Sequence, residues 1–423
     1  PREPVQLRVL VPRLEDALVD PLPDWTDAAV KEVNATEPAA YRLTAQALDT
    51  PAAEWEETIN TLRSAGAPAP DLLAVHLGDV PAMHSRQALL SLESQRKRER
   101  SLDLNDYYRP ALAAHSWQDR LYALPVVASP QIIYYSQDLF TAFNLSPPRA
   151  DWRWDDLLVT ATKMKRDLDG DGRADRWGYF QLPGVLLTVP YIWQNGGAVL
   201  DPQGNVQLDQ PAAVEAIEFI ARLLQAAGPN VIELFRPTPA AGVGNTQVTR
   251  IQLDASSLAE SVLGQVQLEQ VGLLPFHLST GLFWRSPPFN FNLAEPPRQR
   301  QPATMLTTSG LAIGAETAHP DESWAALRVL AASLERRGML PPRKSLAGNL
   351  RQIEPRLTDG DIAVMQSALD YARAPSWPRY HQVRDILTRH LDLPLLLGAL
   401  GAESPETAIR NASDALRQLL ATT

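Results

Sequence analysis

The chain has 423 residues, of which 45% are hydrophobic and 21% charged, and its formal net charge is −10 at pH 7. This composition is typical of a globular protein of two or three domains and excludes collagen, coiled coils and long disordered chains. The acidic balance argues against a nucleic-acid partner, because phosphate binding needs a basic surface. The absence of Cys excludes disulfides, thiolate zinc sites and cysteine nucleophiles.

Strands and helices alternate along the first part of the chain. Hydrophobic patterns predict strands over residues 5–11, 41–48 and 71–75, and helices over residues 24–34 and 51–65. Such alternation is typical of α/β domains with right-handed crossover connections. We therefore predict the α/β fold class.

The rest of the chain is predicted to be rich in helices. A strand-rich stretch covers residues 120–135, and the many Pro, Phe and Asn residues between 275 and 302 predict a long ordered loop. The predicted helices cover residues 154–165, 212–227, 319–335, 361–374, 380–390 and 406–420. No apolar run reaches the roughly 18 residues that a membrane-spanning helix needs.

An acidic segment at residues 167–175 has the spacing of the first half of an EF-hand-type calcium loop. The acids at loop positions 1, 3, 5 and 9 are Asp167, Asp169, Asp171 and Asp175. Position 12 is Gly178 rather than an acid, so other ligands would have to complete the calcium shell. Structural calcium and a metal-free Asp/Gly turn both stay open as interpretations.

No catalytic arrangement stands out in the sequence. It contains no HExxH motif, no GxSxG nucleophile elbow, no Walker A motif and no GxGxxG after a strand. A pair of acids for glycoside hydrolysis stays open, because 49 acids always allow some pair in space. Aromatic residues in or beside loops include Trp193, Trp284, Trp377 and Tyr380. Aromatic platforms next to polar groups are typical of carbohydrate sites.

Several short motifs follow one another along nearly the whole chain. They are Pro70-Asp71-Leu-Leu, Leu121-Tyr-Ala-Leu-Pro125, Ile133-Tyr-Tyr-Ser-Gln-Asp-Leu-Phe140, Pro147-Pro148, Trp154-Asp-Asp-Leu157, Asp171-Gly172, Arg176-Trp-Gly178, Trp193-Gln-Asn-Gly-Gly197, Leu311-Ala-Ile-Gly-Ala315, His319-Pro-Asp-Glu-Ser-Trp324 and Leu340-Pro-Pro-Arg-Lys-Ser345. Each motif is loose alone. In this order and spacing, the chain resembles the family 1 extracellular solute-binding proteins, the sugar-binding receptors of ATP-driven importers.

The resemblance implies the two-lobed type II periplasmic-binding-protein fold, an α/β architecture in which crossover hinge segments join the lobes. The implied boundaries are 1–127 and 258–333 for lobe one, 130–254 and 338–423 for lobe two, and 125–130, 254–257 and 334–340 for the hinges. The ligand would lie in the interlobe cleft, and the lobes would close on it by hinge motion.

The resemblance also implies what the protein does. It would capture a carbohydrate and deliver it to the permease of an ABC importer, as a monomer, without catalysis and without nucleic acid. It would need no cofactor, and structural calcium is the only metal that the sequence suggests. The protein would be exported to the periplasm or the cell surface, and a cleaved signal or a lipid anchor upstream of Pro1 would be consistent with that location.

Twelve positions match the ligand-binding segments of the family. They are Arg13, Glu15, His76, Asp79, Ser129, Trp193, Asn195, Asp254, Ser256, Arg343, Trp377 and Tyr380. The polar residues among them also have a structural interpretation, as hinge or cap hydrogen-bond partners. Val189 stands where many relatives have an aromatic residue, and Ser136 replaces a common Asn. The ligand therefore stays open, and a receptor with a degenerate pocket is included.

Three other functions remain compatible with the sequence. A receptor for a polyol phosphate, a peptide or another small solute would use the same fold, and Arg13, Arg250 or Arg343 would then favour an anion. An extracellular hydrolase would place two carboxylates about 5–10 Å apart in one cleft. A ligand-less partner protein would fill its cleft with its own side chains.

Overall fold

The computed structural model describes residues 3–13, 22–36, 40–51, 64, 66, 69–99, 102–172, 174–181, 186–229, 270–277, 290–337, 340–397 and 404–421. Most of the helix predicted at 51–65 and the hinge predicted at 254–257 lie outside these residues, as do Glu15, Asp254, Ser256 and Arg250. Within them, no helix is long and apolar enough to cross a membrane.

The secondary structure is mixed α/β, which confirms the predicted fold class. The strands are β1 Val5–Arg13, β2 Tyr41–Pro51, β3 Leu72–His76, β4 Ser116–Trp117, β5 Arg120–Leu121, β6 Ala123–Ser136, β7 Trp177–Tyr179, β8 Val271–His277, β9 Phe291–Ala294, β10 Thr304–Ile313 and β11 Ala372–Arg373. The helices are α1 Leu22–Thr36, α2 Asp79–Ser85, α3 Glu93–Arg98, α4 Arg109–Ala114, α5 Gln137–Ala142, α6 Trp154–Met164, α7 Val189–Gln194, α8 Pro211–Ala227, α9 Pro320–Glu335, α10 Leu350–Ile353, α11 Asp359–Tyr371, α12 Tyr380–Leu387, α13 Leu393–Leu397 and α14 Pro405–Ala421. Short 3₁₀ helices lie at Leu104–Asp106 and Lys344–Asn349, and a π-helix at Thr388–Asp392 joins α12 to α13.

The chain divides into two compact units. Unit one comprises Pro1–Ile132, His277–Arg285 and Thr304–Val383, and unit two comprises Ile133–Phe276, Ser286–Ala303 and Arg384–Thr423. The long strand β6 contains the first boundary, between Ile132 and Ile133.

Unit one is built on a mixed sheet with the strand order β2-β1-β3-β10-β6. β1 is parallel to β2 and β3, whereas β10 is antiparallel to β3 and β6. Alternate residues of β1 point to opposite faces, so Val9 packs in a core with α1 and α9, and Leu10 packs in a separate core with α2. β3 is buried along its whole length, as expected for a strand covered on both faces.

Unit two has a second, aromatic core. The end of β6 pairs with β9 and lies beside β8, and β8 is parallel to β7. Trp154 of α6 stacks on Phe219 of α8 with ring centroids 4.5 Å apart, and Tyr191 of α7 contacts both rings. These contacts hold α6, α7 and α8 together, and all of α7 is buried.

The compact units differ from the sequence-based lobes in two segments. The resemblance assigns residues 258–333 to lobe one, but the described residues 270–276 and 290–303 belong to unit two, where β8 pairs with β7 and β9 pairs with the end of β6. The resemblance assigns residues 338–383 to lobe two, but those that the structure describes pack with unit one. The reason is backbone pairing: Ala128 and Tyr108 donate to the carbonyls of Leu340 and Pro342, and β11 pairs with β10. The lobes as moving bodies stay a prediction.

Two further differences concern single elements. The loop predicted between 275 and 302 contains the strand β9, whose four residues continue the sheet of unit two. The helix predicted at 380–390 continues through the π-helix and α13 to Leu397. Pro394 lies in the first turn of α13 and does not end the helical segment.

Candidate functional site

Unit one brings two predicted ligand contacts together around one buried carboxylate. Asp79 begins α2, directly after the turn that follows β3, and it is 2% exposed. Its Oδ2 accepts the backbone N–H of His76 at 2.7 Å, and its Oδ1 lies 3.0 Å from His381 Nε2. The carboxylate therefore joins the end of β3 to the start of α12, across 302 residues of sequence.

Two more predicted contacts, Trp377 and Tyr380, pack beside this carboxylate. Their rings stack with centroids 6.0 Å apart, and the Tyr380 ring meets His381 edge to face at 5.3 Å. Tyr380 lies directly over Gly78, which has a φ of +89°. A Cβ at Gly78 would overlap the Tyr380 ring, so only glycine suits both the turn and the close contact.

Histidines extend the network into the sheet of unit one. His76 Nδ1 lies 2.8 Å from the hydroxyl of Ser309 on β10. His115 Nε2 lies 3.1 Å from the hydroxyl of Thr308, which donates its own proton to the Val127 carbonyl. Thr308 must therefore accept from His115, and this contact fixes the proton on His115 Nε2.

Three imidazole nitrogens of this network make no hydrogen bond within the part of the chain that the structure describes. They are His76 Nε2, His115 Nδ1 and His381 Nδ1. The surroundings also affect protonation: burial, with a smaller contribution from His76, lowers the pKa of His115 to about 4, although Asp79 and the Ser309 backbone oppose the shift. His115 is therefore neutral at pH 7.

Arg343, another predicted contact, is engaged within unit one. Its Nε lies 2.8 Å from Asp106 Oδ2, its Nη1 lies 3.5 Å from Glu335 Oε2, and its guanidinium covers the Tyr107 ring. Burial raises the pKa of Glu335 to about 7 although Arg343 opposes that shift. These contacts give Arg343 a structural role, because they hold the segment after α9 against Asp106 and Tyr107.

Two predicted contacts lie in unit two. Trp193, on α7, is 7% exposed, and Asn195 caps the end of that helix. Both protons of the Asn195 amide have acceptors at 2.8 Å, the Ala212 carbonyl and Glu215 Oε2. The amide donors of Asn195 therefore tie α7 to α8.

A buried carboxylate fixes the other end of α7. Asp392, in the π-helix, accepts the backbone N–H groups of Leu187 and Thr188 and the hydroxyl of Thr188. These groups lie just before the first turn of α7, where helix N–H groups lack intrahelical partners. Burial raises the pKa of Asp392 to about 7 against these three hydrogen bonds.

The remaining predicted ligand contacts lie either on strands of unit one or outside the described residues. Ser129 is fully buried in β6, opposite Thr307 of β10. Arg13 is the last residue of β1 and pairs with Pro51 across the sheet. Glu15, Asp254 and Ser256 lie outside the described residues.

Some residues of the network carry no signal in the sequence. His381, His115 and Ser309 come from segments far apart in sequence, and each looks ordinary in its own segment. The Gly78-Asp79 pair directly after a buried strand is the one local signal, because glycine permits the turn and Asp begins a helix well.

The acidic loop at 167–175 brings three carboxylates together. Oxygen atoms of Asp167, Asp169 and Asp175 all lie within 4.8 Å of one another, and Asp171 does not belong to this set. Backbone N–H groups already bond to these carboxylates, with Gly170 and Gly172 donating to the two oxygens of Asp167. Calcium binds carboxylates and backbone carbonyls, so these residues are suitable calcium ligands. The same residues also suit a metal-free Asp/Gly turn.

Comparisons with known proteins give consistent results. The sequence profile of the family described as "Bacterial extracellular solute-binding protein" matches residues 20–248. A relative from Brucella abortus (strain 2308), described as a "Putative binding protein", is 25% identical over 311 residues, which cover 70% of this chain and 66% of the relative. The match thus spans slightly less than two thirds of that relative's length.

Solved structures share the fold over the whole chain. One is an ABC substrate-binding protein from Listeria monocytogenes, described in complex with cycloalternan, with a TM-score of 0.74 and 17% identity. The match covers 99% of this chain and 100% of the Listeria chain. The cyclic alpha-maltosyl-1,6-maltose binding protein from Arthrobacter globiformis has a TM-score of 0.71 and 21% identity, with full coverage of both chains. Both likenesses support the two-lobed solute-binding fold.

Gly78→Ala tests the packing of Tyr380 on the turn. We expect the free energy of unfolding to fall by about 2–5 kcal/mol, because a left-handed residue gains a Cβ and the Tyr380 ring must move. Urea unfolding measures this change. Gly204→Ala is the matched control: Gly204 has a φ of +84° with no atom within 4 Å of an added Cβ. Equal losses in both variants would contradict the packing role.

The pKa of His115 predicts a pH effect on stability. Because its pKa is about 4 in the folded chain and about 6.5 in an unfolded one, the unfolded chain binds the proton first as the pH falls. Neutral His115 makes its full contribution to the free energy of unfolding above pH ~6.5. That contribution decreases by about 3 kcal/mol as the pH falls from ~6.5 to ~4.

Urea unfolding across that pH window, in the wild type and in His115→Gln, isolates this contribution from other titrating groups. We expect the free energy of unfolding of the wild type, relative to that of His115→Gln, to decrease as the pH falls through this window. A difference that stays constant from about pH 7.5 to about pH 4 would contradict the buried neutral state.

Proposed function

The chain belongs to the bacterial extracellular solute-binding protein family, and on that premise we propose that it captures a carbohydrate and delivers it to the permease of an ABC importer. The observation that carries the proposal is the convergence of stacked Trp377 and Tyr380 rings with the Asp79 network in unit one. Sugars present apolar C–H faces and hydroxyl groups, and such a site offers partners for both.

The network suits hydroxyl groups better than charged ligands. Because a carboxylate only accepts, His381 Nε2 donates to Asp79, and Nδ1 of the neutral ring can accept from a ligand hydroxyl. His76 Nε2 can donate to a hydroxyl or accept from one, according to its tautomer. The guanidinium of Arg343 is held by Asp106 and Glu335, which removes one cation that an anionic ligand would need.

The relatives support a carbohydrate ligand. The Listeria protein is described with cycloalternan, and the Arthrobacter protein is described as binding cyclic alpha-maltosyl-1,6-maltose. At 17% and 21% identity these proteins show the fold, and the transfer of their ligand class to this chain is part of the proposal.

The proposal includes binding and delivery without a chemical reaction. The family consists of extracellular solute-binding proteins, so we propose export to the periplasm or the cell surface, a monomeric receptor and no required cofactor. Hinge closure and the lobe boundaries stay predictions.

Thermal unfolding against a sugar panel tests the function. The panel contains maltose, maltotriose, cycloalternan, cyclic alpha-maltosyl-1,6-maltose and polyols. A ligand at about 100 times its dissociation constant adds ~2.7 kcal/mol to the folded state and raises the unfolding midpoint by several degrees. We expect such a shift with a sugar and no consumption of that sugar.

Two variants connect the shift to the proposed site. Trp377→Leu should weaken sugar binding about tenfold, because it removes the aromatic face. Trp25→Leu, at a partly buried Trp on α1 that packs in another part of unit one, is the matched control and should bind normally.

A shift of the wild-type unfolding midpoint with product formation would indicate an enzyme. No shift with any sugar or polyol would contradict the carbohydrate proposal.

The acidic loop adds a smaller proposal, structural calcium bound by Asp167, Asp169 and Asp175. We expect millimolar calcium to raise the unfolding midpoint, and Asp169→Asn to remove this effect because it removes a charged ligand. Asp201→Asn is the control, since Asp201 accepts backbone N–H groups in an Asp turn and belongs to no acid cluster among the described residues. No calcium effect on the wild type would leave the Asp/Gly turn as the explanation.

A further inference from the structure

A cavity of about 450 Å³ lies within unit one, next to the Asp79 network but apart from it. α4, the β4 strand, α2 and the segment from α11 to Ser376 line it. Trp117 contributes the one aromatic ring, and most of the remaining lining is Pro and Ala, so the walls are largely apolar. This volume lies within the range of ~300–1,000 Å³ that is common for small-molecule sites.

Two guanidinium groups line this apolar cavity. Arg109 is the first residue of α4, and Arg373 is the last residue of β11. Among the residues that the structure describes, neither guanidinium has an ion-pair or hydrogen-bond partner. Asp370 also lines the cavity, so the charged lining residues carry a net charge of +1 (two Arg and one Asp).

The guanidinium of Arg373 is partly desolvated and has no carboxylate partner among the described residues, which is unusual in an acidic chain. Arg373 is half-buried, and desolvation lowers the pKa of its guanidinium. A cation that loses water normally gains a carboxylate partner, because an unpaired charge is costly to bury. Here the chain supplies 49 acids and places none of the described ones in an ion pair with Arg373.

We propose that this cavity is a second ligand site, which binds a small amphiphilic anion with its apolar body against Trp117 and its carboxylate, sulfonate or phosphate group on Arg373 and Arg109. The planar fork of Arg matches such oxyanions with two parallel hydrogen bonds. The apolar walls exclude free phosphate as a good ligand, since it has no body to bury. A neutral sugar leaves both cations unpaired.

The proposed anion site is separate from the sugar site. None of His76, Asp79, Trp377 and Tyr380 lines the cavity, and only Gly78 belongs to both surroundings. Binding at one site should therefore leave the other site able to bind.

Fluorescence titration of the whole chain with 8-anilinonaphthalene-1-sulfonate tests the proposal, because this probe joins aromatic rings to a sulfonate. We expect saturable binding to one site on the folded protein. Arg373→Met should weaken binding at least tenfold, and Arg109→Met should weaken it less, because Arg109 is exposed. Arg98→Met, at an exposed Arg of unit one that pairs with Asp321, is the matched control and should bind normally.

Two further measurements separate the cavity from non-specific binding. Ala113→Trp fills the cavity from an exposed position on α4 and should abolish probe binding without changing the unfolding midpoint. 2-Naphthoate should displace the probe, whereas neutral 2-naphthylmethanol should not, because only the acid pairs with Arg373.

The proposal is overturned if the wild type does not bind the probe, or if Arg373→Met and Ala113→Trp bind it as the wild type does. Displacement of the probe by a bound sugar would overturn the separation of the two sites. A protein that binds the probe in this way but no sugar would retain this proposal while the carbohydrate function fails.

Discussion

The buried carboxylate of Asp79 is the contact on which the candidate site depends. Taking a carboxylate out of water costs several kcal/mol unless hydrogen-bond donors replace the water, and here the His76 backbone and the His381 ring lie against its two oxygens. The two donors come from segments of unit one that are far apart in sequence. The fold of that unit must therefore be complete before the site exists.

Other features of unit one follow from this contact. His381 can reach Asp79 only if α12 begins close to the turn after β3, and this approach brings Tyr380 onto Gly78. The absence of a side chain at Gly78 is thus a packing requirement as well as a backbone one. Once Tyr380 is fixed, Trp377 stacks on it, and the two buried rings form a rigid aromatic pair beside polar groups.

The sequence could predict what depends on local pattern. Apolar periodicity located β1, β2, β3 and the seven longest helices of the described residues, since burial repeats every two residues in strands and every 3.6 in helices. The sequence left both a ligand role and a structural role open for Asn195 and Arg343, and it could not predict their partners Glu215 and Asp106, which are distant or unremarkable in sequence. The same limit hid His381 and Arg373, which gain meaning only from packing across unit one.

The assignment of residues 338–383 shows the same limit at a larger scale. The resemblance placed the third crossover near 334–340, whereas the backbone bonds of Leu340 and Pro342 and the pairing of β11 keep the described part of this segment with unit one. Sheet pairing of this kind is long-range and leaves no periodic signal in the segment itself.

Hydrogen–deuterium exchange with and without a binding sugar tests the central claim most directly, namely that the Asp79 network and the Trp377–Tyr380 pair form the ligand site. The account predicts slower exchange on sugar binding in peptides that cover residues 76–79 and 377–381, because ligand contacts suppress local opening of both segments. The acidic loop at 167–175 should exchange unchanged and serves as the internal reference. Sugar binding without protection of either segment would contradict the account.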